Sequence, residues 1–347
     1  MPFKLSALSD LTVLPFDDII DVRSPSEFAE DHIPGAINLP ALSDAERARV
    51  GTIYVQEDRF LARKIGAALV ARNAADHLQG PLADRPGDWR PLVYCWRGGQ
   101  RSGSFTSILQ QIGWRAQVVG GGYKSYRRLV VQALYDTLWP GDIVLIDGGT
   151  GTAKTRLLAQ IEARGGQVLD LEAMAEHRGS LFGPMGEAQP HQKTFESRLA
   201  MQMARLDPAR PVFVEAESSK IGRVIIPPAL WKRMIGARVV ELNAPLEARV
   251  GHLVTAYDDL VTAPQKLDAV LRKLIRYHGH AQVERWQGLA SAGDFATLAG
   301  ELITAHYDPR YARVSRRDVA PEDRLDLPDL SDETLEGVAR ELVGDVH

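Results

Sequence analysis

Tyr94-Cys95-Trp96-Arg97-Gly98-Gly99-Gln100-Arg101-Ser102 carries the only cysteine among 347 residues. The apolar run Leu92-Val93-Tyr94 leads into it and predicts a short buried strand. Behind it, Phe105, Ile108, Leu109 and Ile112 recur at i, i+3, i+4 and i+7, one face of a helix that Gly113 ends. Cys95 therefore stands on a strand-to-helix loop whose backbone N–H groups are free to turn inward. A concave ring of N–H groups at a helix N-terminus stabilises an anion, here the Cys95 thiolate or an oxyanion beside it. Arg97 and Arg101 add positive charge, and Gly98 and Gly99 let the backbone curl where a Cβ would obstruct. Each feature lowers a thiol's pKa and raises its nucleophilicity. A lone Cys is ordinarily a small buried hydrophobe. This setting instead makes Cys95 a candidate nucleophile, with Arg97 and Arg101 as its catalytic partners.

Working outward, Trp139-Pro140-Gly141-Asp142 is a turn signal between two periodic regions and marks a domain boundary. Beyond it Ile143-Val144-Leu145-Ile146 reads as a buried strand. Gly148-Gly149-Thr150-Gly151-Thr152-Ala153-Lys154-Thr155 follows, and then a helix to about Ala163. Strand, Gly-rich loop, Lys-Thr and helix form the phosphate-cradling P-loop arrangement. Its N–H groups wrap phosphate oxygens, Lys154 neutralises them, and the Thr155 hydroxyl is placed to ligate Mg²⁺. Ala153 stands where the second glycine usually does, in a helical conformation by expectation.

Later strands are expected at 167–171, 211–214 and 238–242, separated by helical stretches; Phe195, Leu199, Met203 and Leu206 share one face. Strands alternating with helices imply a parallel sheet. Asp170 and Glu215 then fall at its carboxyl edge, where α/β ligands bind; the structural alternative for each is a helix N-cap or a surface carboxylate. Asp170, Glu172, His177, Arg178 and Ser180 in one loop, with Glu215, Glu217 and Ser218 in another, are candidate diphosphate or substrate contacts. His177 has no second His or Cys at ligand spacing, so no metal centre is assigned. From Pro245 the pattern is helical. Arg276 and Tyr277, with Arg310, Arg313, Arg316 and Arg317, pair cations with aromatics, which suits RNA; a solvated charged face is the plainer reading.

Composition sets limits. A chain of 347 residues suggests two domains, and 45% apolar with 25% charged residues is that of a soluble globular protein. Residues 1–18 lack the basic start and apolar core of a signal peptide, and no stretch approaches 18 uncharged apolar residues. One Cys rules out an internal disulfide and fits the reducing cytosol. A net charge of −4 argues against a generally basic nucleic-acid binder but allows a local patch.

Asp21-Val22-Arg23-Ser24-Pro25-Ser26-Glu27-Phe28, then His32-Ile33-Pro34-Gly35-Ala36-Ile37-Asn38-Leu39-Pro40, then the Cys95 loop and Gly120-Gly121-Gly122-Tyr123-Lys124 resemble, in that order, the rhodanese domain over about residues 10–135. Sulfur-transfer rhodaneses usually place four residues between Cys and the loop arginine; this chain has five and reads C-x5-R-S, the spacing of Cys-dependent phosphatases. The wider loop suits a tetrahedral, phosphate-sized group. With the inserted Glu46-Arg47-Ala48-Arg49-Val50-Gly51 and the two acidic loops, residues 10–315 resemble the tRNA 2-selenouridine synthase family.

The resemblance implies an α/β chain: a rhodanese-like domain at 1–138, a P-loop NTPase-like parallel-sheet core at 139–244 and a helical part at 245–315, whose arginines are the candidates for tRNA contact; residues 316–347, beyond the resemblance, are acidic and read as a tail or a packed terminal helix. It also implies a cytoplasmic enzyme acting on wobble 2-thiouridine in the anticodon arm of tRNA. Geranyl diphosphate would alkylate the sulfur, and selenium from selenophosphate would replace the geranylthio group. Cys95 would accept that selenium as a selenyl-sulfide, and a selenophosphate-supplying enzyme would be the partner. The P-loop suits the prenyl diphosphate or a nucleotide such as ATP. Two other classes share these residues: a Cys-dependent phosphatase or arsenate reductase, against which Tyr94 stands where a His is common, and an NTP-dependent RNA-binding switch with a sensing Cys.

Overall fold

Two successive runs of strands and helices each close a parallel sheet of their own in the computed structural model, which describes residues 1–180, 182–183, 188–314 and 323–344. The first unit comprises Met1–Leu138 with Pro190–Arg205 and Pro227–Ala229; the second comprises Trp139–Gln189, Leu206–Ile226 and Leu230–His347.

In the first unit, β1 (Asp18–Asp21), β2 (Ile37–Asn38), β3 (Pro91–Tyr94) and β4 (Gln117–Val118) pair in the order β2-β1-β3-β4. The crossovers are α1 (Pro25–Glu30), α2 (Asp44–Gln56), α3 (Arg59–Gln79) and α4 (Gln100–Ile112), and α5 (Gly122–Val131) follows β4. β3 lies inside the sheet and is buried along its length, which is why Leu92-Val93-Tyr94 is apolar without alternation. Phe105 and Leu109 enter the core with Ile20, Val22 and Val93, whereas Ile112 is 51% exposed beside the Gly113 cap. Asp21 and Arg23 form a buried bidentate pair, and Arg23 also donates to Asp31 O at 2.6 Å, tying the loops together.

The helix Gln192–Met203, drawn from sequence into the P-loop core, belongs to the first unit. Lys193 pairs with Glu30 at 2.6 Å, the Ser197 hydroxyl donates to Asp31 at 2.9 Å, and Arg127 pairs with Glu196. These partners lie more than 60 residues away along the chain, so periodicity alone could not reveal them.

In the second unit, β5 (Ile143–Gly148) is central in the order β11-β10-β5-β7-β6, with β6 (Gln167–Leu169), β7 (Val212–Glu215), β10 (Arg238–Asn243) and β11 (Arg324–Asp326) all parallel. β8 (Lys220–Ile221) and β9 (Val224–Ile225) form a separate antiparallel hairpin. α6 (Lys154–Ala163) follows the Gly-rich loop. The acidic end is built where it is described: β11 extends the sheet, and the helix Asp332–Gly344 packs as the terminal helix. Leu335, Val338, Ala339 and Leu342 recur at helical spacing on one face and bury against Leu157, Leu158 and Ile161. Helices over 246–314 make a further core around Trp286, Leu271 and Leu298.

Candidate active sites

β3 delivers Cys95, and α5 shapes the loop that follows. The Tyr123 N–H donates to Cys95 O at 2.9 Å and the Lys124 N–H to Trp96 O at 3.1 Å. With those carbonyls tied outward, the N–H groups of Ser102, Arg97 and Gly99 act on the sulfur. The Cys95 Sγ lies 3.2 Å from Ser102 Oγ. Burial pushes the thiol up, but the Ser102 hydroxyl and the three N–H groups outweigh it, and the net shift is downward. Ser102→Ala is therefore expected to move the rate–pH profile of iodoacetamide alkylation at Cys95 to higher pH, and Ser102→Thr to restore it; an unmoved profile would remove Ser102 from the role.

The loop fits only because two glycines meet behind it. Gly98 has φ +64° and Gly122 φ +59°, and a Cβ on Gly122 would run into Cys95 O and Gly98 N. Gly122→Ala is expected to cost more than about 1 kcal/mol, because the conformation is disfavoured and the contact cannot relax. A thermal melt would show the lowered Tm, and an unchanged Tm would contradict the packing.

The two arginines fare differently. Arg101 pairs with Glu27 of α1 at 2.6 Å, and burial of Glu27 is outweighed by that guanidinium, so its carboxyl is lowered. Arg97 is exposed and lines a hollow with Lys124, Ser125 and Arg128. Lys124 and Arg128 stand at i and i+4 on α5, and sequence reading passed over them although the spacing was legible.

In the second unit the Gly-rich loop leaves the carboxyl end of β5 between β7 and β10. Gly148 (φ +144°) and Gly151 (φ +87°) take conformations closed to other residues, and the Lys154 ammonium donates to Gly148 O at 2.9 Å. Ala153 does not take the helical φ expected for it. It is left-handed, at φ 61° and ψ 30°, the geometry a glycine would adopt at no steric cost; an alanine bears about 1–2 kcal/mol there. The loop's shape thus survives the substitution. Arg249, unseen in the sequence reading, secures it from the helix Leu246–Ala256: its Nε donates to Thr150 O at 2.9 Å while Asp308 holds the rest of the guanidinium at 2.6 Å.

Among the acidic candidates, Glu172 and Glu217 converge on Gly179, where a Cβ would lie 2.5 Å from one carboxylate and 2.7 Å from the other. Thr155 Oγ1 reaches Glu172 Oε2 at 3.5 Å. Burial, then the charge of Glu217, pushes the Glu172 carboxyl up to about 8. Glu215 is wholly buried and pushed well up by burial; it accepts from the Leu171 N–H at 3.1 Å. Asp170 caps the short helix after β6, accepting from the Ala173 N–H at 2.7 Å, the structural alternative named above. Ser218 stands just ahead of the β8–β9 hairpin, its hydroxyl donating to Lys220 O at 2.7 Å. His177 is buried, with its pKa lowered by burial, and no group of three or more metal-ligating side chains stands together among the described residues.

Arg178 and Ser180 lead away from the carboxylates. Arg178 stacks over Tyr257 at 4.7 Å and pairs with Asp259 at 2.8 Å, and Ser180 Oγ lies 3.3 Å from Tyr257 OH. Tyr257 is also a wall of a cavity of about 540 Å³, open mouth included. Leu253, Phe182, Leu298 and Tyr307 line it too, and Thr150 brings the Gly-rich loop onto its wall. Most of its walls come from helices about 100 residues or more past the loop, so no local pattern announced it.

Of the RNA candidates, Arg276 and Arg310 are brought onto the exposed Tyr277 ring, at 4.5 Å and 3.9 Å. Arg316 and Arg317, and the side chain of Arg313, lie outside the described residues. No helix among those described is long and apolar enough to cross a membrane.

Residues 141–273 match the family described as tRNA 2-selenouridine synthase AAA domain, and residues 5–129 match the rhodanese-like domain. The tRNA 2-selenouridine synthase of Pseudomonas syringae pv. tomato is 35% identical over 335 residues, covering 88% of this chain and 90% of that protein. The chain belongs to the tRNA 2-selenouridine synthase family. The Nitrosomonas europaea member is 36% identical over 74% of this chain and 68% of its own length, and the Pseudomonas fluorescens member 36% identical over 85% and 87%. The first unit is thus a rhodanese-like domain and the second a P-loop domain, as the motifs implied.

Proposed function

We propose that this family member replaces the sulfur of wobble 2-thiouridine in tRNA by selenium, through an S-geranyl intermediate, in the cytoplasm. The observation that carries the choice of prenyl donor is the apolar cavity ending at Thr150. A diphosphate in the Gly-rich loop would have its hydrocarbon chain beside those aliphatic and aromatic walls, out of water. A nucleotide such as ATP in the same loop has no apolar tail for them.

In the first step the thiouridine sulfur attacks C1 of the geranyl group, and the uracil N3 proton leaves to water. Diphosphate departs with the C–O bonding pair, and its growing charge is met by the α6 N-terminus and Lys154. Thr155 would hold Mg²⁺ together with phosphate oxygens, and the ion would supply further charge neutralisation there. In the second step selenium derived from selenophosphate adds at C2 of the uracil, and geranylthiolate leaves. Cys95 serves this step. The exposed cations Arg97, Lys124 and Arg128, and the Arg276–Tyr277–Arg310 stack, offer phosphate and base contacts for the anticodon arm. An enzyme that makes selenophosphate is the necessary supplier.

Calorimetry on the full chain tests the prenyl reading. Geranyl diphosphate should bind at least about 100-fold more tightly than inorganic diphosphate, the gain from burying only about three or four of its ten carbons. Ala299→Trp, which fills the cavity, should abolish that advantage and leave diphosphate binding intact. Equal affinities in the unaltered protein would remove the geranyl assignment.

A further inference from the structure

Electron counting separates the Cys95 loop from the sulfur-carrying rhodaneses. A persulfide forms on cysteine when the donor's sulfur is already two electrons above the sulfide level. In selenophosphate the selenium is at the selenide level, bonded to phosphorus(V). Loading it onto Cys95 as a selenyl-sulfide would remove two electrons, and no oxidant belongs to the proposed reaction. Attack on phosphorus needs none.

We propose that the Cys95 thiolate accepts the phosphoryl group of selenophosphate, releasing hydrogenselenide, rather than carrying selenium itself. The step rests on the function proposed above and balances. A Cys95 lone pair forms the S–P bond, the Se–P pair leaves with selenium, and phosphorus stays at its oxidation level. Water then cleaves S–P to orthophosphate and regenerates the thiolate. Hydrogenselenide adds to C2 of the S-geranyl uridine.

The geometry matches a tetrahedral oxyanion better than a single chalcogen atom. Five residues separate Cys95 from Arg101, Ser102 Oγ lies 3.2 Å from Sγ, and the N–H groups of Arg97, Gly99 and Ser102 favour the thiolate. The same donors that hold a thiolate would meet phosphoryl oxygens placed on it. Glu27 binds Arg101 through NH1 at 2.6 Å and NH2 at 3.4 Å, fixing the guanidinium plane at the rim while its Nε–H is not part of that pair. Ser102 Oγ, buried and 3.2 Å from Sγ, is placed to donate to the sulfur when it departs from phosphorus. Hydrogenselenide is a stable leaving anion, so the first half-step needs no general acid.

The experiment uses the full chain with selenophosphate carrying ³²P in one set and ⁷⁵Se in another, quenched and freed of small molecules. Protein-bound ³²P, absent in Cys95→Ser and several-fold higher in Ser102→Ala because hydrolysis slows, with ⁷⁵Se recovered as free selenide, is the expected result. Protein-bound ⁷⁵Se at Cys95 without ³²P would overturn the inference. So would the lack of both ³²P on Ser102→Ala and phosphate release. A parallel reaction with S-geranylated tRNA distinguishes the two levels. Selenouridine formed alongside ⁷⁵Se-protein sinks the phosphoryl step and leaves the function standing, whereas no selenouridine under any condition sinks both.

Discussion

Cys95→Ser should leave tRNA carrying S-geranyl-2-thiouridine and no 2-selenouridine. The serine hydroxyl keeps the shape but is not an anion at neutral pH, so the nucleophile that the Ser102 hydroxyl and three N–H groups stabilise is gone. Loss of a nucleophile of this kind costs about 10³-fold or more in rate. The P-loop unit has its own sheet and core and is not touched by the substitution. Prenylation should therefore continue at its normal rate, and the intermediate should accumulate. Nucleoside mass analysis reads both products at once. Loss of geranylation together with selenation would show that the two chemistries are not divided between the units.

The complementary substitution is Lys154→Ala. Its ammonium now bonds Gly148 O at 2.9 Å, at the loop that cradles phosphate. Without it the leaving diphosphate loses its cationic side chain and keeps the loop's N–H groups and the ion Thr155 would hold, and removal of one such charge-stabilising group costs about 10²–10³-fold in rate. Geranyl transfer should fall by that amount. Selenation of tRNA that has already been S-geranylated should proceed as in the unaltered protein, because Cys95 lies on the other sheet. Equal geranyl transfer in the two proteins would show that the Gly-rich loop is not where the diphosphate binds.

What the sequence made legible was local. Strand, loop and helix follow one another within 22 residues around both Cys95 and Lys154, so periodicity and glycine spacing sufficed to place each nucleophile or cation by a helix start. Where the partner is distant the signal vanishes. Arg249 reaches Thr150 across 99 residues, Glu27 reaches Arg101 across 74, and the helix Gln192–Met203 joins the first sheet rather than the one beside it in sequence. Ala153 shows a subtler limit: alanine prefers a helical φ, and the loop's own closure, secured by Arg249, overrides that preference. Polar residues at a sheet edge look alike until their backbone partners are known: Asp170 accepts from the Ala173 N–H as a helix cap, and the Ser218 hydroxyl donates to Lys220 O.

The most direct measurement is a single-turnover time course of 2-thiouridine tRNA with the full chain, Mg²⁺ and selenophosphate, with and without geranyl diphosphate. S-geranyl-2-thiouridine should rise first and decay as 2-selenouridine appears, and without geranyl diphosphate no 2-selenouridine should form. Selenouridine appearing at full rate in the absence of geranyl diphosphate would contradict the two-step division.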